Sequence, residues 1–228
     1  MEGGKHIRIL RIMFDTTISN KEITLFRGAV LASMQQQGNI LFHNHKTDDT
    51  FRYNYPLIQY KRINKSASIV AVEQGVDIVG EFLSKDFSTL QIGDEEREFK
   101  INKIIPERIF VQVWQSEFAY RIRRWLPLNS ENYRKYTELK TLLEKIKLLE
   151  TILKGNLLSF CKGLGIFVSE ELKAEITNLS DPFIVKNKGV KIMAFDIEFV
   201  SNLSLPNFVG IGKNASIGYG IVTRKREE

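Results

Sequence analysis

The sequence predicts an α+β chain of two successive split βαβ units, each packing helices on one face of an antiparallel sheet. Three observations carry this expectation. Strand-like runs and helical stripes alternate along the chain. The first half reads strand–helix–strand–strand–helix–strand. The second half then begins the same order again. The changeover is expected near Pro106 to Trp114, giving an N-terminal domain over residues 1–110 and a C-terminal domain over 111–228. With 228 residues, each half is long enough to bury a core of its own.

The elements follow in order. "HIRILRIMF" (6–14) reads as a buried strand with Arg8 and Arg11 interleaved. Ser19 followed three residues later by Glu22 is a capping-box pattern. Beyond it Ile23, Phe26, Val30 and Met34 recur near helical spacing, and Gly38 ends the helix. "SIVAVEQGVDIVGEFL" (68–83) gives a short strand leading into a second helix, and alternation returns in "REFKINK" and "RIFVQVW". In the second half "FAYRIRRWLPL" (118–128) is strand-like. From Ser130 to about Cys161 a helical stripe runs through Tyr136, Leu139, Leu142, Leu143, Ile146, Leu149, Ile152 and Leu153. Gly155 interrupts it, which favours a core-facing helix over a coiled-coil seam. "KAEITNL", "VKIMAFDIEFV" and "SIGYGIVTRK" supply the remaining strands.

Composition narrows the function classes. At 43% apolar and 26% charged residues, the chain reads as an ordinary soluble globular protein. Its net charge of +6 suits a polyanionic partner without requiring one. Cys161 is the only cysteine, which excludes an internal disulfide and a thiolate-rich zinc site and favours a reducing cytoplasm. No run reaches the roughly 18 apolar residues of a membrane span, and the N-terminus lacks a signal-peptide run.

The chemistry concentrates in "LFHNHKTDDTFRYNYPLIQYK" (41–61), which holds two of the three histidines. In an extended segment His43 and His45 project to one face, their Cα atoms about 6.6 Å apart from two rises of about 3.3 Å. Histidine takes or gives a proton near neutrality, so the pair suits cleavage of RNA through its own 2′-hydroxyl. That reaction needs a base, an acid and cations on the phosphate, the last available from Lys46, Arg52 and Lys61. It needs no metal. Three other readings stand beside this one. The letters "HNH" match a class of metal nucleases, but there the residues lie far apart in sequence. With Asp48 or Asp49 the histidines could bind a divalent metal, although His6 is the only other histidine and no paired acidic motif accompanies them. Two loop histidines without a chemical task are the plain alternative.

"VGIGKNASIGYGIV" (209–222) places Gly210 and Gly212, then Gly218 and Gly220, around Lys213 and Asn214. Glycines let backbone approach a phosphate, and successive N–H groups can form an anion nest. The order matches neither a nucleoside-triphosphate loop nor a dinucleotide fingerprint. A glycine-rich hairpin without a ligand is the alternative. Arg121, Arg123 and Arg124 interleave with Tyr120 and Trp125, and Arg224, Lys225 and Arg226 follow near the end, a mixture that can track an RNA backbone and stack on bases.

Taken together, the two segments resemble the CRISPR repeat-processing endoribonucleases of the RAMP superfamily. The shared features are a duplicated ferredoxin-like fold, a histidine just after the first helix, and a C-terminal loop of the form "GIGKNASIGYG". "LFHNHK" followed by "YPLIQYK" is similar to the double-histidine branch, and the resemblance spans essentially the whole chain. It implies metal-independent cleavage within each repeat of a precursor transcript, yielding guide RNAs, with a 2′,3′-cyclic phosphate and a 5′-hydroxyl as ends and no cofactor. It assigns His45 as principal acid or base, with His43 assisting. Several members pair their histidine with a tyrosine on the first helix and a nearby lysine. Residues 19–37 hold no tyrosine, so Tyr53 stands in for it, with Lys46 or Lys61 as the lysine. RNA contacts are expected from Lys61, Arg52, Arg121, Arg123, Gly210, Gly212, Lys213, Asn214, Gly218 and Gly220. The implied partner is CRISPR repeat RNA; effector-complex proteins and a second copy of the chain stay open. A non-catalytic RAMP subunit holding guide RNA is the competing function.

Overall fold

The computed structural model describes residues 3–36, 55–84, 88–187 and 189–225. The chain divides into two compact units. One comprises Ile7–Ile109 with Ser216–Gly218, the other Met1–His6, Phe110–Ala215 and Tyr219–Glu228.

In the first unit the order is β1 (Lys5–Thr17), α1 (Ile23–Gln36), β2 (Ile58–Ile63), β3 (Ser66–Val72), α2 (Gln74–Leu83), β4 (Thr89–Ile92), β5 (Glu95–Glu98) and β6 (Ile101–Val111). A four-stranded sheet runs β2-β3-β1-β6, while β4 and β5 form a hairpin of their own. Both β1 and β2 pair antiparallel with β3. Ahead of α1, the Glu22 carboxylate accepts the Ser19 N–H at 2.8 Å, as the capping pattern predicts. The core is aromatic. Phe26 stacks on Phe99 at 5.4 Å, with Phe14 and Tyr60 edge-on to Phe26 at 5.8 Å, and all four side chains are buried.

The second unit holds β7 (Val113–Trp125), α3 (Ser130–Glu138), α4 (Leu142–Gly163), β8 (Ala174–Leu179), β9 (Phe183–Asn187), β10 (Val190–Leu203) and β11 (Ile221–Arg224). Its sheet runs β11-β7-β10-β8, with β9 paired to the outer part of β10. In both sheets the first strand sits beside the third, and the second and fourth form the edges, which is the ferredoxin-like order. The second unit departs from the scheme in one crossover. Between β10 and β11 there is no second helix, only the glycine-rich connection with a 3-10 turn at Ala215–Ile217.

The helical stripe expected over Ser130 to Cys161 is two helices. Leu139 is extended, with φ −69° and ψ 134°, and Thr141 opens α4 with a full capping box. The Thr141 hydroxyl accepts the Glu144 N–H at 3.2 Å, and the Glu144 carboxylate accepts the Thr141 N–H at 2.9 Å. The apolar period runs through the break, so periodicity alone conceals it. The final strand is also shorter than "SIGYGIVTRK" suggests, because Gly218 and Gly220 take φ values of 80° and 63° and turn the chain before β11 begins. β4 and β9 were not expected. Among the described residues no helix is long and apolar enough to cross a membrane.

Candidate nucleic-acid interface

His43, His45, Lys46, Arg52 and Tyr53 lie outside the described residues. Of the histidine stretch, the part from Tyr55 onward is described. Lys61 sits on β2 opposite Ser68 of β3, and both are fully buried. Tyr60 joins the aromatic core through Phe26, so strand alternation turns Lys61 and Gln59 to the other face. Gln59 is held by bonds from its Nε2 to the Tyr55 hydroxyl at 2.7 Å and the Pro56 carbonyl at 2.9 Å. Burial lowers the Lys61 pKa to about 7, because an enclosed ammonium loses its hydration. Lys61 is therefore set apart from the exposed cations. A lysine near its neutral point can exchange a proton as well as carry charge.

The glycine-rich connection belongs to the second unit except for Ser216–Gly218, which belongs to the first. Val209 and Ile211 are fully buried. The Ile211 N–H donates to Gly220 O at 2.8 Å, the Val222 N–H to Val209 O at 2.9 Å and the Gly220 N–H to Arg124 O at 3.1 Å. Gly220 is left-handed, and a Cβ there would run into the Ile211 carbonyl. Gly212, at φ 85°, lies against a side-chain pair the sequence does not announce: the Trp125 indole donates to Asn156 Oδ1 at 3.0 Å. A Cβ at Gly212 would stand 2.6 Å from that oxygen and 3.0 Å from the indole nitrogen. At Gly210 it would stand 2.8 Å from the Cβ of Ala215, and at Gly218 2.6 Å from Cδ1 of Ile23. The glycines thus admit close approach of the protein to itself. Lys213 is exposed between the pairs. Asn214 takes φ 60°, and its Nδ2 is enclosed without a hydrogen-bond partner among the described residues.

The arginines of β7 fall into distinct settings. Arg121 forms a salt bridge with Glu198 of β10, whose other oxygen receives Lys225 Nζ at 2.6 Å. Bonds from Lys225 and then Arg121 hold the Glu198 carboxyl below its ordinary range. Arg123 is exposed, with Nη1 3.6 Å from Asp196 Oδ2. Trp125 pairs with Phe195 and Ile122 with Ile197, so Arg123 and Arg124 together oppose Asp196 in a β-bulge. At this bulge Arg124 takes φ 54°, its N–H donates to Asp196 Oδ1 at 2.7 Å, and its guanidinium lies 4.4 Å over the Tyr219 ring. Arg224 lies 4.5 Å over Phe118. Tyr120 and Trp125, expected as stacking aromatics, are fully buried core residues instead, because they lie on the apolar face of β7. Arg124, Asp196, Tyr219, Trp125 and Asn156 complete the region. A bulge leaves no mark in composition, so sequence patterning finds none of their pairings.

A family model of the Cas6b N-terminal domain matches residues 5–109, and one of the Cas6b C-terminal domain matches residues 112–225. The chain belongs to the Cas6b family. A crystal structure of Cas6b superimposes with a TM-score of 0.83 at 26% identity, covering 97% of this chain and 100% of that one. The structure of a CRISPR RNA processing endoribonuclease Cas6b shares the fold at a TM-score of 0.75 and 23% identity, with the same coverage of both chains. A type IV Cas6 crRNA endonuclease shares it at 0.57 and 11% identity, again over 97% of this chain and 100% of that one. An uncharacterized protein of Methanocaldococcus jannaschii is 45% identical over 106 residues, which is 46% of this chain and 71% of that protein. Both halves of this Cas6b chain are therefore accounted for by family members.

Proposed function

We propose that this Cas6b chain is a metal-independent endoribonuclease that cleaves CRISPR precursor transcripts within their repeats. The observation that carries the reading is the match of both halves to the two Cas6b domain models. In this reading residues 1–110 carry the histidine site and residues 111–228 the glycine-rich loop. His45 acts as principal acid or base on the 2′-hydroxyl and the departing 5′-oxygen, and His43 assists. Tyr53 and Lys46 complete the site, while Lys61, poised near neutrality, is a second lysine able to move a proton. Arg52, Arg121, Arg123, Lys213 and Asn214 are contacts to the repeat RNA in this reading, whereas the four loop glycines act by letting the loop pack against its own protein neighbours. Arg123 and Lys213 are the most direct phosphate partners, being exposed, whereas Arg121 shares its charge with Glu198.

The test uses purified protein, excess chelator and a labelled repeat RNA from its own locus, beside the same RNA with one 2′-deoxy nucleotide at the cut site. Cleavage of the first RNA alone is expected. His45→Ala should lose at least about ten-fold in rate while still binding the repeat. Tight binding of both RNAs without cleavage would instead make the chain a guide-holding subunit, and activity that chelator abolishes would make it a metal nuclease.

A further inference from the structure

The carboxylate of Glu198 is caught between two cations. One oxygen accepts Arg121 Nε at 3.0 Å together with Nη2, and the other accepts Lys225 Nζ at 2.6 Å. Three neighbouring strands build the cluster. Arg121 of β7 pairs directly with Glu198 of β10 on one side and with Thr223 of β11 on the other, so these side chains share a face of the sheet. Lys225 follows two residues after Thr223, and its own N–H donates to Ala119 O of β7 at 2.8 Å. The face is the one turned away from the core, since Tyr120 and Ile122 on either side of Arg121 are fully buried. Access to solvent is unequal within the cluster. The Glu198 side chain is 17% exposed, against 40% for Arg121 and 43% for Lys225. The cations, not the carboxylate, face outward.

As surface ion pairs alone, these contacts would add little to stability. Two long side chains locked on one carboxylate have, however, already given up freedom that they would otherwise lose on meeting a ligand. Arg121 Nη1 and the remaining N–H bonds of Lys225 have no acceptor among the described residues. Charged donors set side by side in this way suit the oxygens of a phosphodiester. We propose that Glu198 is a positioning residue that aims Arg121 and Lys225 at one phosphodiester of the bound RNA. The proposal rests on the reading of the chain as an RNA-processing Cas6b protein. It adds Lys225 to the contacts and gives an acidic residue a part in holding a polyanion. Charge alone predicts the opposite sign, because deleting a carboxylate beside exposed cations should tighten the binding of RNA. A residue that only tied β11 to the sheet would influence melting without weakening RNA binding.

The experiment measures affinity for the repeat RNA, made uncleavable by one 2′-deoxy nucleotide at the cut site, between about 50 and 200 mM salt. It compares the wild type, Glu198→Gln, the double variant Arg121→Gln/Lys225→Gln, and the triple variant. Glu198→Gln should bind about five-fold more weakly, and its slope of log affinity against log salt should be shallower by about 0.7, the share of one lost phosphate contact. In the double variant the same substitution should cost nothing further. Unchanged or tighter binding by Glu198→Gln would overturn the proposal, and so would a loss that keeps the wild-type slope or persists without both cations. Thermal melting checks the fold of Glu198→Gln. If it melts early, Lys225→Gln decides against Lys147→Gln, an exposed lysine of α4 on the other side of the sheet. A lower slope for Lys225→Gln alone upholds the site, and equal effects overturn it. Wild-type affinity for an unrelated RNA of equal length tests the parent reading separately. A preferred repeat that Glu198→Gln binds as tightly as the wild type sinks the positioning role alone.

Discussion

A fully buried ammonium group is held at a cost, and Lys61 makes that cost visible through pH. Its folded pKa of about 7 lies below the ordinary 10.5. Between those values the unfolded chain binds more protons than the folded one, so this residue makes stability rise with pH across that window. Below pH 7 both states are protonated and the full cost of burial remains. Lys61→Met should therefore raise the unfolding free energy most at pH 6, on the order of a few kcal/mol, and progressively less toward pH 10. Urea unfolding of both proteins at several pH values reads this directly, and a gap that did not change with pH would rule out burial as its cause. In the strand "IQYKRI", Gln59 and Lys61 look like a wet face when only the sequence is read. Period-two patterning correctly separates them from Tyr60, yet it assumes that the polar face meets solvent, and here both polar residues are buried. The residue type and spacing were legible; the enclosure depends on distant parts of the chain and was not.

The elements follow local chemistry where that chemistry was read. The Ser19–Glu22 pattern before α1 and the strand-to-helix passage into α2 stand where expected. The break between α3 and α4 had its own signal, "TLLE" at 141–144, overshadowed by the apolar period that runs past it. Thr141→Ala should remove the cap of α4 at a cost of about 1 kcal/mol, seen as a fall of roughly 2–4 °C in the melting midpoint. An unchanged midpoint would mean that the packing of Leu149, Leu153 and Leu157 sets the start of α4 unaided. The glycines offer a sharper comparison. Gly220 and Gly165 both have positive φ, 63° and 66°, but an added Cβ meets the Ile211 carbonyl at the first and nothing within 4 Å at the second. Gly165→Ala should cost about 1 kcal/mol from the dihedral alone, whereas Gly220→Ala should cost roughly 2–4 kcal/mol by adding the clash. Equal losses by chemical denaturation would show that the loop gives way. The sequence suggested glycines for approaching a ligand; what it could not show is that protein atoms already occupy the approach.

At the scale of the whole molecule, the doubled split βαβ order was legible because alternation and helical period each repeat in the two halves. Patterning in the second half likewise puts no helix between "VKIMAFDIEFV" and the last strand; the start of that strand was not legible, since "SIGYGIVTRK" carries strand-like residues on both sides of its turn. A net charge of +6 sets how the chain should meet a polyanion, with Arg121 and Arg123 of β7 locally offset by Glu198 and Asp196 of β10. Binding of the repeat should weaken at least about ten-fold between 50 and 200 mM salt, as expected when several phosphate contacts release counterions. A titration flat across that range would move the recognition from charge to stacking. The connection from β10 to β11 has one more bearing. Composition marks it as pliable, the sort of segment a protease nicks first, yet its apolar residues are enclosed and its amides are tied to β7 and β11. The glycine signature here belongs to a hardened seam, expected to be cut more slowly by a protease than its composition suggests even at the exposed Lys213.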